Sequence, residues 1–573
     1  MKNKGFTLME LLGVIVILSL LMIIVLPNIV NSVRNSSSKT DDATLKLIYD
    51  AANLYVSYDN ESFPEENGNK YVIALSELVN QNMLKSPITL SDSNDDITNT
   101  KCVQVTYDNG YKYELKNNGE CSKRYLSKPD LYDNTLTPVK YNGTNWVVAS
   151  ESEKWYDYDN QQWANAVILK SGVSKTPGTV INVDGFNSDV YAMYVWIPRY
   201  EYKMSDAAST SVTEIHINFI SRNTTTPSEG YKINSGFTFG NTNLSGIWVG
   251  KFETSHATLS SSTTNNNLGC TNENCANADN LRIVPNVQSL RRNNISKMFY
   301  ASRSMGRNGN PFGIDASITD SHMMKSSEWG IVAYLSLSKY GKYGNSNYTG
   351  ANKEVYINNS SGYYTGRSGG GPSGSTPTNE TYTSEESTAK NNTYGFYTYD
   401  DYLLEYNTNN KTIKVASKGT GASTTGNIYG VYDMSGGAYE YAMGVFANSS
   451  GELWSGNSTT YNSGFTGKLG TSGEDYTGVA FPNSKYYDVY KASSGTTMTT
   501  SLACNGGICY GHAVQPEVAS WYGDYTGFVS ATYPWFQRGG ISIDSAVAGI
   551  MRRNGYYGSW IDNNSFRLVL SEA

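Results

Sequence analysis

The sequence has few charged residues, four histidines and no run of basic residues after Lys4. Charged side chains make up 17% of the 573 residues, and the formal net charge is −7. These values argue against nucleic-acid binding, because that function needs clustered lysine and arginine. The histidines share no motif spacing, and neither H-E-x-x-H nor G-x-x-x-x-G-K-[ST] occurs. The 46 tyrosines and 54 glycines are instead typical of a polar, β-rich extracellular protein.

Cysteine is also sparse, with six residues that fall into three close pairs along the sequence. An exported chain meets an oxidising environment, so the pairs predict local disulfides, although spacing alone does not fix their connectivity. A zinc site is disfavoured because the tighter C-x-x-C spacing is absent. The pairs are Cys102 with Cys121, Cys270 with Cys275, and Cys504 with Cys509.

One long apolar run opens the chain. Between Phe6 and Leu26 the only charged residue is Glu10. A helix over these residues would be about 30 Å long, enough to cross the hydrocarbon core of a membrane. Lys2 and Lys4 precede the run, so the rest of the chain is expected outside the cell. No A-x-A pattern follows, which argues against an ordinary secretory signal and leaves a generic signal anchor as the alternative.

The start of this run resembles the class III leader of bacterial type IV pilins and pseudopilins. Gly5, Phe6, Glu10 and Pro27 stand at the positions that mark such leaders. The resemblance implies cleavage between Gly5 and Phe6 by a prepilin peptidase, methylation of the new Phe6 amine, and packing of the helix against other pilin subunits. Glu10 would then pair with the amino-terminal charge of a neighbouring subunit, an attraction that is stronger in apolar surroundings than in water. Pro27 would kink the helix, because it lacks a backbone donor.

The patterns along the chain predict an α+β protein with a long N-terminal helix, a small head and a large final domain. Ile48 and Ala52 belong to a helical stripe that extends the stalk, and Asp108 to Gly110 form a hairpin turn between two alternating runs. A stretch rich in Gly, Ser and Thr around residue 370 is expected to be a surface insertion. The predicted segments are a leader at 1–5, a transmembrane and stalk helix at 6–60, a pilin-like head at 61–125, a linker at 126–140, and a large domain at 141–573 with an insertion at about 340–428.

Six short strings in the large domain occur in the order found in another family. They are YVWIPRYEYKM, GIWVGKFETS, SEWGIVAYLSLSKYG, GVYDMSGGAYEYAMG, QRGGIS and SFRLVL. In this order they resemble the formylglycine-generating, or sulfatase-modifying, enzyme domain over roughly residues 190–573. The resemblance implies a mixed α+β domain with a variant of the C-type lectin fold.

Enzymes of that family bind copper with two cysteines, and the matching positions here hold Asp544 and Gly549. Neither residue can supply a thiolate, so the domain is predicted to have no enzyme activity. The family also binds calcium in the loop that matches VYDMSGGAYE. The implied ligands are the Asp433 and Glu440 side chains and the backbone carbonyls of Gly436 and Ala438, a set of oxygens that suits calcium. The alternative is that Asp433 and Glu440 are solvated turn residues.

The last loops of the chain form the predicted ligand-binding segment, since lectin-like folds bind ligands with loops on a fixed scaffold. Aromatic residues beside Asn and Arg provide contact area and adaptable hydrogen bonds at low entropic cost. The segment also resembles the variable segment of retroelement-diversified lectin-like receptors. The alternative is burial of these side chains in the last strands. The predicted ligand residues are Arg552, Arg553, Asn554, Tyr556, Tyr557, Trp560, Asp562 and Asn563.

Together these features predict a minor or tip subunit of a type IV filament that displays a non-catalytic, lectin-like adhesion domain. Its ligand would be another surface or a glycan. The precursor would be anchored in the bacterial membrane, and the assembled subunit would lie outside the cell. The alternatives are a membrane-anchored extracellular enzyme of the formylglycine-generating type and a pseudopilin of a secretion or DNA-uptake system.

Overall fold

The structure is a computed structural model with helices and sheets, mostly sheet. The chain divides into two compact units, residues 1–126 and residues 127–573. The residues that the structure describes are 37–59, 63–90, 95–132, 134–204, 212–259, 268, 270, 275, 277–346, 348, 353–358, 360, 362–367, 401–404, 413–416, 420–448, 463–465, 481–492, 503–504, 507–508, 510–514, 517–518, 521–544 and 547–573.

In the first unit a helix packs on a three-stranded antiparallel sheet of order β1-β2-β3. Ile48, Ala52 and Val56 of the helix share one buried core with Val103 and Val105 of the central strand. The helical stripe in the sequence therefore faces the sheet, as amphipathic spacing requires. The elements are α1 Ser37–Tyr58, β1 Lys70–Ala74, α2 Leu75–Asn80, β2 Lys101–Tyr107 and β3 Tyr111–Asn117.

The predicted hairpin and two of the three predicted disulfides are confirmed. Strands β2 and β3 pair in register from Lys101 with Asn117 to Tyr107 with Tyr111. Disulfides join Cys102 to Cys121 in the first unit and Cys270 to Cys275 in the second. Cys509 of the third predicted pair lies outside the described residues.

The second unit contains helices α3 Ile295–Ser304 and α4 Ser326–Ser336 among its described residues. The helical spacing of Ile295, Met298 and Phe299 predicts the first, and that of Trp329, Val332 and Ala333 predicts the second. Its strands up to the second helix are β4 Thr137–Tyr141, β5 Trp146–Val148, β6 Asn165–Leu169, β7 Val180–Ile181, β8 Val190–Pro198, β9 Tyr200–Lys203, β10 His216–Phe219, β11 Lys232–Ile233, β12 Thr238–Phe239, β13 Thr242–Asn243, β14 Gly246–Gly250, β15 Ser255–His256, β16 Leu281–Arg282 and β17 Thr319–Met323. The later strands are β18 Asp401–Leu404, β19 Ile413–Ala416, β20 Tyr439–Asn448, β21 Asp488–Ala492, β22 Ala503–Cys504, β23 Gly507–Ile508, β24 Trp535–Arg538, β25 Arg553–Tyr556, β26 Asn564–Phe566 and β27 Leu568–Glu572.

An eight-stranded antiparallel sheet of order β17-β27-β14-β8-β6-β4-β5-β7 forms one half of the second unit. Its central strands β8 and β14 are almost continuously apolar and buried. Trp196 and Trp248 pair across them, with ring centroids 5.3 Å apart. Glycine is required at position 246, the first residue of β14, because a Cβ there would lie 2.4 Å from the Trp196 ring. In this sheet the last strand of the chain, β27, lies between β17 and β14.

A seven-stranded mixed sheet carries the candidate site. Its order is β23-β22-β21-β20-β24-β25, and β26 pairs with β20. Strand β20 is parallel to β21 and β26 and antiparallel to β24. Phe446, Tyr490 and Phe536 of this sheet belong to one buried core cluster. The sheet therefore holds the loop before β20 and the loops around β25 on one scaffold.

Two segment boundaries differ from the predicted ones. Residues 137–141, which overlap the end of the predicted linker, form β4, because apolar Val139 is buried against β6. The ends of the insertion predicted at 340–428 differ as well, because described residues at both ends are packed in the interior. Lys342 and Val355 are buried, and Lys342 Nζ donates to the Gly421 carbonyl at 2.8 Å, so both ends of that segment belong to the core.

Most of the predicted transmembrane helix, including Glu10 and Pro27, lies outside the described residues. Within the portion that the structure does describe, no helix combines the length and the apolar character needed to cross a membrane.

Candidate functional site

The loop before β20 turns the Asp433 carboxylate into the interior of the second unit. Asp433 has a φ of 62° and is only 1% exposed. Its carboxylate accepts hydrogen bonds from Asn358 Nδ2 at 2.9 Å and from the Gly366 backbone N–H at 2.9 Å. The alternative that this residue is a solvated turn residue is therefore wrong.

Glu440, the second residue of β20, forms a buried ion pair with Arg567. Arg567 donates from Nε to Glu440 Oε2 at 2.9 Å and from Nη2 to Oε1 at 2.5 Å. It also donates to the carbonyls of Gly250 and Tyr432. Both side chains are almost fully buried, at 0% and 1% exposed. A two-pronged contact of this kind is the strongest geometry for an arginine and a carboxylate.

Glu253, just after β14, adds a third acid to this cluster. Its carboxylate accepts hydrogen bonds from the Ala438 backbone N–H at 2.8 Å and from the Ser289 hydroxyl. Burial raises the pKa of Glu253 well above its ordinary value, and the negative charges of Asp433 and Glu440 raise it further. Sequence reasoning missed Glu253, because it lies 180 residues before Asp433 and no local motif marks it.

The other two acids also keep their protons more tightly than in water. Burial raises the pKa of Asp433, although Arg567 and the hydrogen bonds from Asn358 and Gly366 oppose the change. Burial raises the pKa of Glu440 to about 7 against the opposing charge of Arg567. The three buried acids therefore hold protons to a higher pH than exposed acids do.

These side chains do not fit the predicted calcium ion in this arrangement. Both Glu440 oxygens already accept hydrogen bonds from Arg567, whose positive charge would repel a cation. Within the described ranges, no group of three or more His, Cys, Asp or Glu side chains could hold a metal ion. Calcium binding stays a prediction from resemblance.

The cluster predicts a pH-dependent stability. A carboxyl whose folded pKa is raised binds a proton that the unfolded chain has released, so stability falls as pH rises from about 4 through the folded pKa. We expect the melting temperature of wild type to fall more steeply over this range than that of Glu253→Gln, whose neutral amide has no proton to lose. The measurement is a series of thermal melts at stepped pH.

The matched control is Glu151→Gln, which changes a side chain that is 47% exposed in the same unit. This variant should keep the wild-type pH slope. Equal slopes for Glu253→Gln and wild type would contradict the assigned protonation.

The two positions that match the enzyme thiols have other roles in this chain. Asp544 accepts the Ile541 backbone N–H at 2.9 Å and pairs with Arg552 at 3.0 Å. Gly549 lies against Asp524, so closely that a Cβ would be 2.0 Å from its Oδ1. A cysteine at 549 would therefore not fit this packing. The absence of enzyme activity remains a prediction.

The predicted ligand residues divide between surface and interior. Trp560 is 57% exposed, and Asp562 is exposed and paired with Arg292 at 2.5 Å. Arg552 and Arg553 are 5% and 0% exposed, so their prediction as surface ligand residues is wrong. In β25 alternate residues face opposite sides, which turns Arg553 and Gly555 inward. The remaining predicted residues, Asn554, Tyr556, Tyr557 and Asn563, are half-buried.

Arg552 is held beneath the surface by its neighbours. It donates from Nη1 to the Val547 carbonyl at 2.7 Å. Its guanidinium carbon lies 5.3 Å from the ring centroids of both Tyr439 and Tyr525. The Arg552 side chain therefore packs beneath Tyr525, which is 49% exposed.

Tyrosines from three segments form an exposed face at β25. Tyr557 packs against Tyr533 and Tyr556, with ring centroids 4.8 and 5.0 Å away. Tyr525 and Asn554 both lie beside Gly527, where a Cβ would be within 2.8 Å of each side chain. We call this set, Tyr525, Tyr533, Asn554, Tyr556 and Tyr557, the aromatic face. Sequence reasoning missed Tyr525 and Tyr533, because only tertiary contacts bring Tyr533 to Tyr557 and place Tyr525 beside Gly527, next to Asn554.

Of three comparisons with known proteins, one identifies a motif at the amino terminus. None of them supports an argument about the second unit. Residues 1–26 match the prokaryotic N-terminal methylation motif, a signal typical of type IV pilin precursors. No curated protein matches the chain. Among solved structures, Treponema denticola variable protein 1 is similar over 68% of this chain and 99% of its own, at 12% identity and a TM-score of 0.24. That superposition is too weak to carry an argument.

The motif implies a substrate for prepilin peptidase that assembles with other pilin-type subunits. It indicates a precursor anchored in the membrane and a filament at the cell surface.

Proposed function

We propose that this chain, whose residues 1–26 match the N-terminal methylation motif, is a minor or tip subunit of a type IV filament that binds a glycan through its second unit. The motif supports the filament part of this proposal. A second unit that spans residues 127–573 would crowd neighbours along a tightly packed filament, which favours a low copy number or the end. The lectin-like fold and the binding of a glycan are both proposed for the second unit.

The aromatic face is the observation that supports ligand binding. Large aromatic side chains that remain exposed together are unusual on a soluble surface and often mark binding sites. Tyr525 and Tyr533 are 49% and 41% exposed, and Tyr556 and Tyr557 adjoin them. Their ring faces can stack on the apolar faces of a sugar, while the hydroxyls and Asn554 supply hydrogen bonds.

The charges around the aromatic face favour an uncharged carbohydrate. Arg552 and Arg553 are buried, and Arg552 pairs with Asp544. Asp562 is paired with Arg292. An acidic glycan or a phospholipid head group would need an available surface cation, as charge complementarity requires. Calcium has no part in this proposal, because Arg567 holds Glu440.

Removal of one stacking ring tests the proposal. We expect the full chain, purified in detergent, to bind neutral members of a glycan array, and Tyr556→Ala to weaken that binding by about tenfold or more, as for a buried interface aromatic. The readout is the concentration of chain at half-maximal binding. Tyr58→Ala, which removes a tyrosine that is 61% exposed in the first unit, should bind like wild type.

Binding restricted to acidic glycans would contradict the proposed ligand class. Equal binding by wild type, Tyr556→Ala and Tyr525→Ala would remove the aromatic face from the proposal.

A further inference from the structure

Two arginines lie side by side in the interior of the second unit. Arg538 ends β24 and Arg553 begins β25, and the two residues are direct partners in the antiparallel register. Directly opposed residues in such a pair project their side chains to the same side of the sheet. Both arginines are 0% exposed. The sheet thus directs the two arginine side chains to the same side, where both are out of contact with water.

Each guanidinium uses only one of its nitrogens. Arg538 Nη2 donates to the carbonyls of His512 and Ala513, both at 3.3 Å. Arg553 Nη2 donates to the Val518 carbonyl at 2.8 Å. Nε and Nη1 of both arginines are buried and have no hydrogen-bond partner within the described part of the chain. Four strong donors are therefore left without an acceptor.

The carboxylates of Asp488 and Glu517 accept hydrogen bonds from groups other than these arginines. Asp488 accepts hydrogen bonds from the backbone N–H and the hydroxyl of Ser327. Glu517 accepts the hydroxyls of Tyr202 and Tyr334. None of the ion pairs between described residues includes Arg538 or Arg553. Glu440 lies opposite Arg538 in the sheet, but its carboxylate is paired with Arg567. The Asp524 carboxylate, whose charge opposes the lowering of the Arg553 pKa, accepts the Met551 backbone N–H.

Both arginines stay charged at neutral pH. Burial lowers the pKa of Arg538 to about 10. Burial, with the neighbouring charge of Arg538, lowers the pKa of Arg553 to about 9. Each value lies well above 7, so both groups are protonated. An unpaired charge in a protein interior is strongly destabilising, as is breaking a buried ion pair.

We propose that Arg538 and Arg553 bind one small monovalent anion, such as chloride, through the Nε and Nη1 groups of both side chains. Both side chains are fully buried, and the Trp329 ring centroid lies 5.5 Å from the Arg538 guanidinium carbon, so the anion must be small. The anion would fix the start of β25, whose next residue, Asn554, belongs to the aromatic face on the opposite side of the strand. The site is independent of the glycan proposal, because no residue of the aromatic face contacts the anion.

A chloride titration tests the site. The melting temperature of the full chain is measured in sodium gluconate, whose anion is too large to enter the site. It is measured again with chloride replacing gluconate at constant ionic strength. We expect the melting temperature to rise with chloride and to follow the logarithm of its concentration above the dissociation constant. Arg553→Met should lose this response. Arg222→Met, which removes an arginine that is 40% exposed, should keep it.

A direct view of the ion covers the case in which Arg553→Met does not fold. Wild-type crystals grown in bromide should give an anomalous peak between the two guanidinium groups. Equal melting temperatures in gluconate and chloride, or a bromide position occupied by ordered water alone, would overturn the proposal.

Discussion

A chain in which Gly5 is replaced by glutamate should keep its first five residues and be missing from filaments. The pilin-type signal at residues 1–26 implies cleavage after Gly5. Glycine lets another backbone approach closely, and a charged side chain beside the cut bond would obstruct the peptidase. Without the cut there is no free Phe6 amine to pair with Glu10 of a neighbouring subunit. The measurements are the intact mass of the chain and its amount in sheared surface filaments.

Asn3→Ala is the matched control for this prediction. It also changes the leader but leaves Gly5 and Phe6 in place, so the chain should be cut and assembled like wild type. A Gly5→Glu chain found cut after residue 5 and present in filaments would show that the signal does not work as inferred.

Arg567→Met should destabilise the second unit more than a surface substitution does. The change leaves the Glu440 carboxylate buried with its main cationic partner removed, which typically costs about 3–5 kcal/mol. That cost is a large share of the roughly 5–15 kcal/mol that stabilises a typical domain. The check is the shift of the urea midpoint of the full chain, followed by a signal from the second unit.

Arg222→Met provides the matched control, because Arg222 pairs with Glu572 on the surface at 40% and 41% exposure. An exposed pair contributes about 1 kcal/mol or less. The double variant Arg567→Met with Glu440→Leu should recover part of the loss, since it removes the stranded charge as well. A midpoint for Arg567→Met equal to that of Arg222→Met would contradict the buried pair.

Local patterns were enough to predict the elements of this fold. The apolar spacing of α3 and α4 and the turn at Asn109 each reflect physics within a few residues, and all three are confirmed. The close spacing of Cys102 and Cys121, and of Cys270 and Cys275, likewise limited their partners to near neighbours.

Contacts between distant segments could not be predicted from the sequence. Arg567 contacts Glu440, which lies 127 residues earlier in the sequence, and no local pattern at either residue identifies its partner. The same limit explains the wrong prediction for Arg553. An arginine beside tyrosines is typical of a binding loop, but the phase of β25 in its sheet decides which side faces water. The predicted end of the linker differs because residues 137–141 pair with β5 and β6, which the composition of the linker alone does not indicate.

The amino terminus of the chain isolated from native filaments tests the central claim most directly. Tandem mass spectrometry of the first peptide should show a chain that begins at Phe6 with a methylated amine. A filament fraction in which the chain still begins at Met1 would contradict the account, because such a chain would be a membrane-anchored protein that never entered the filament as a processed subunit.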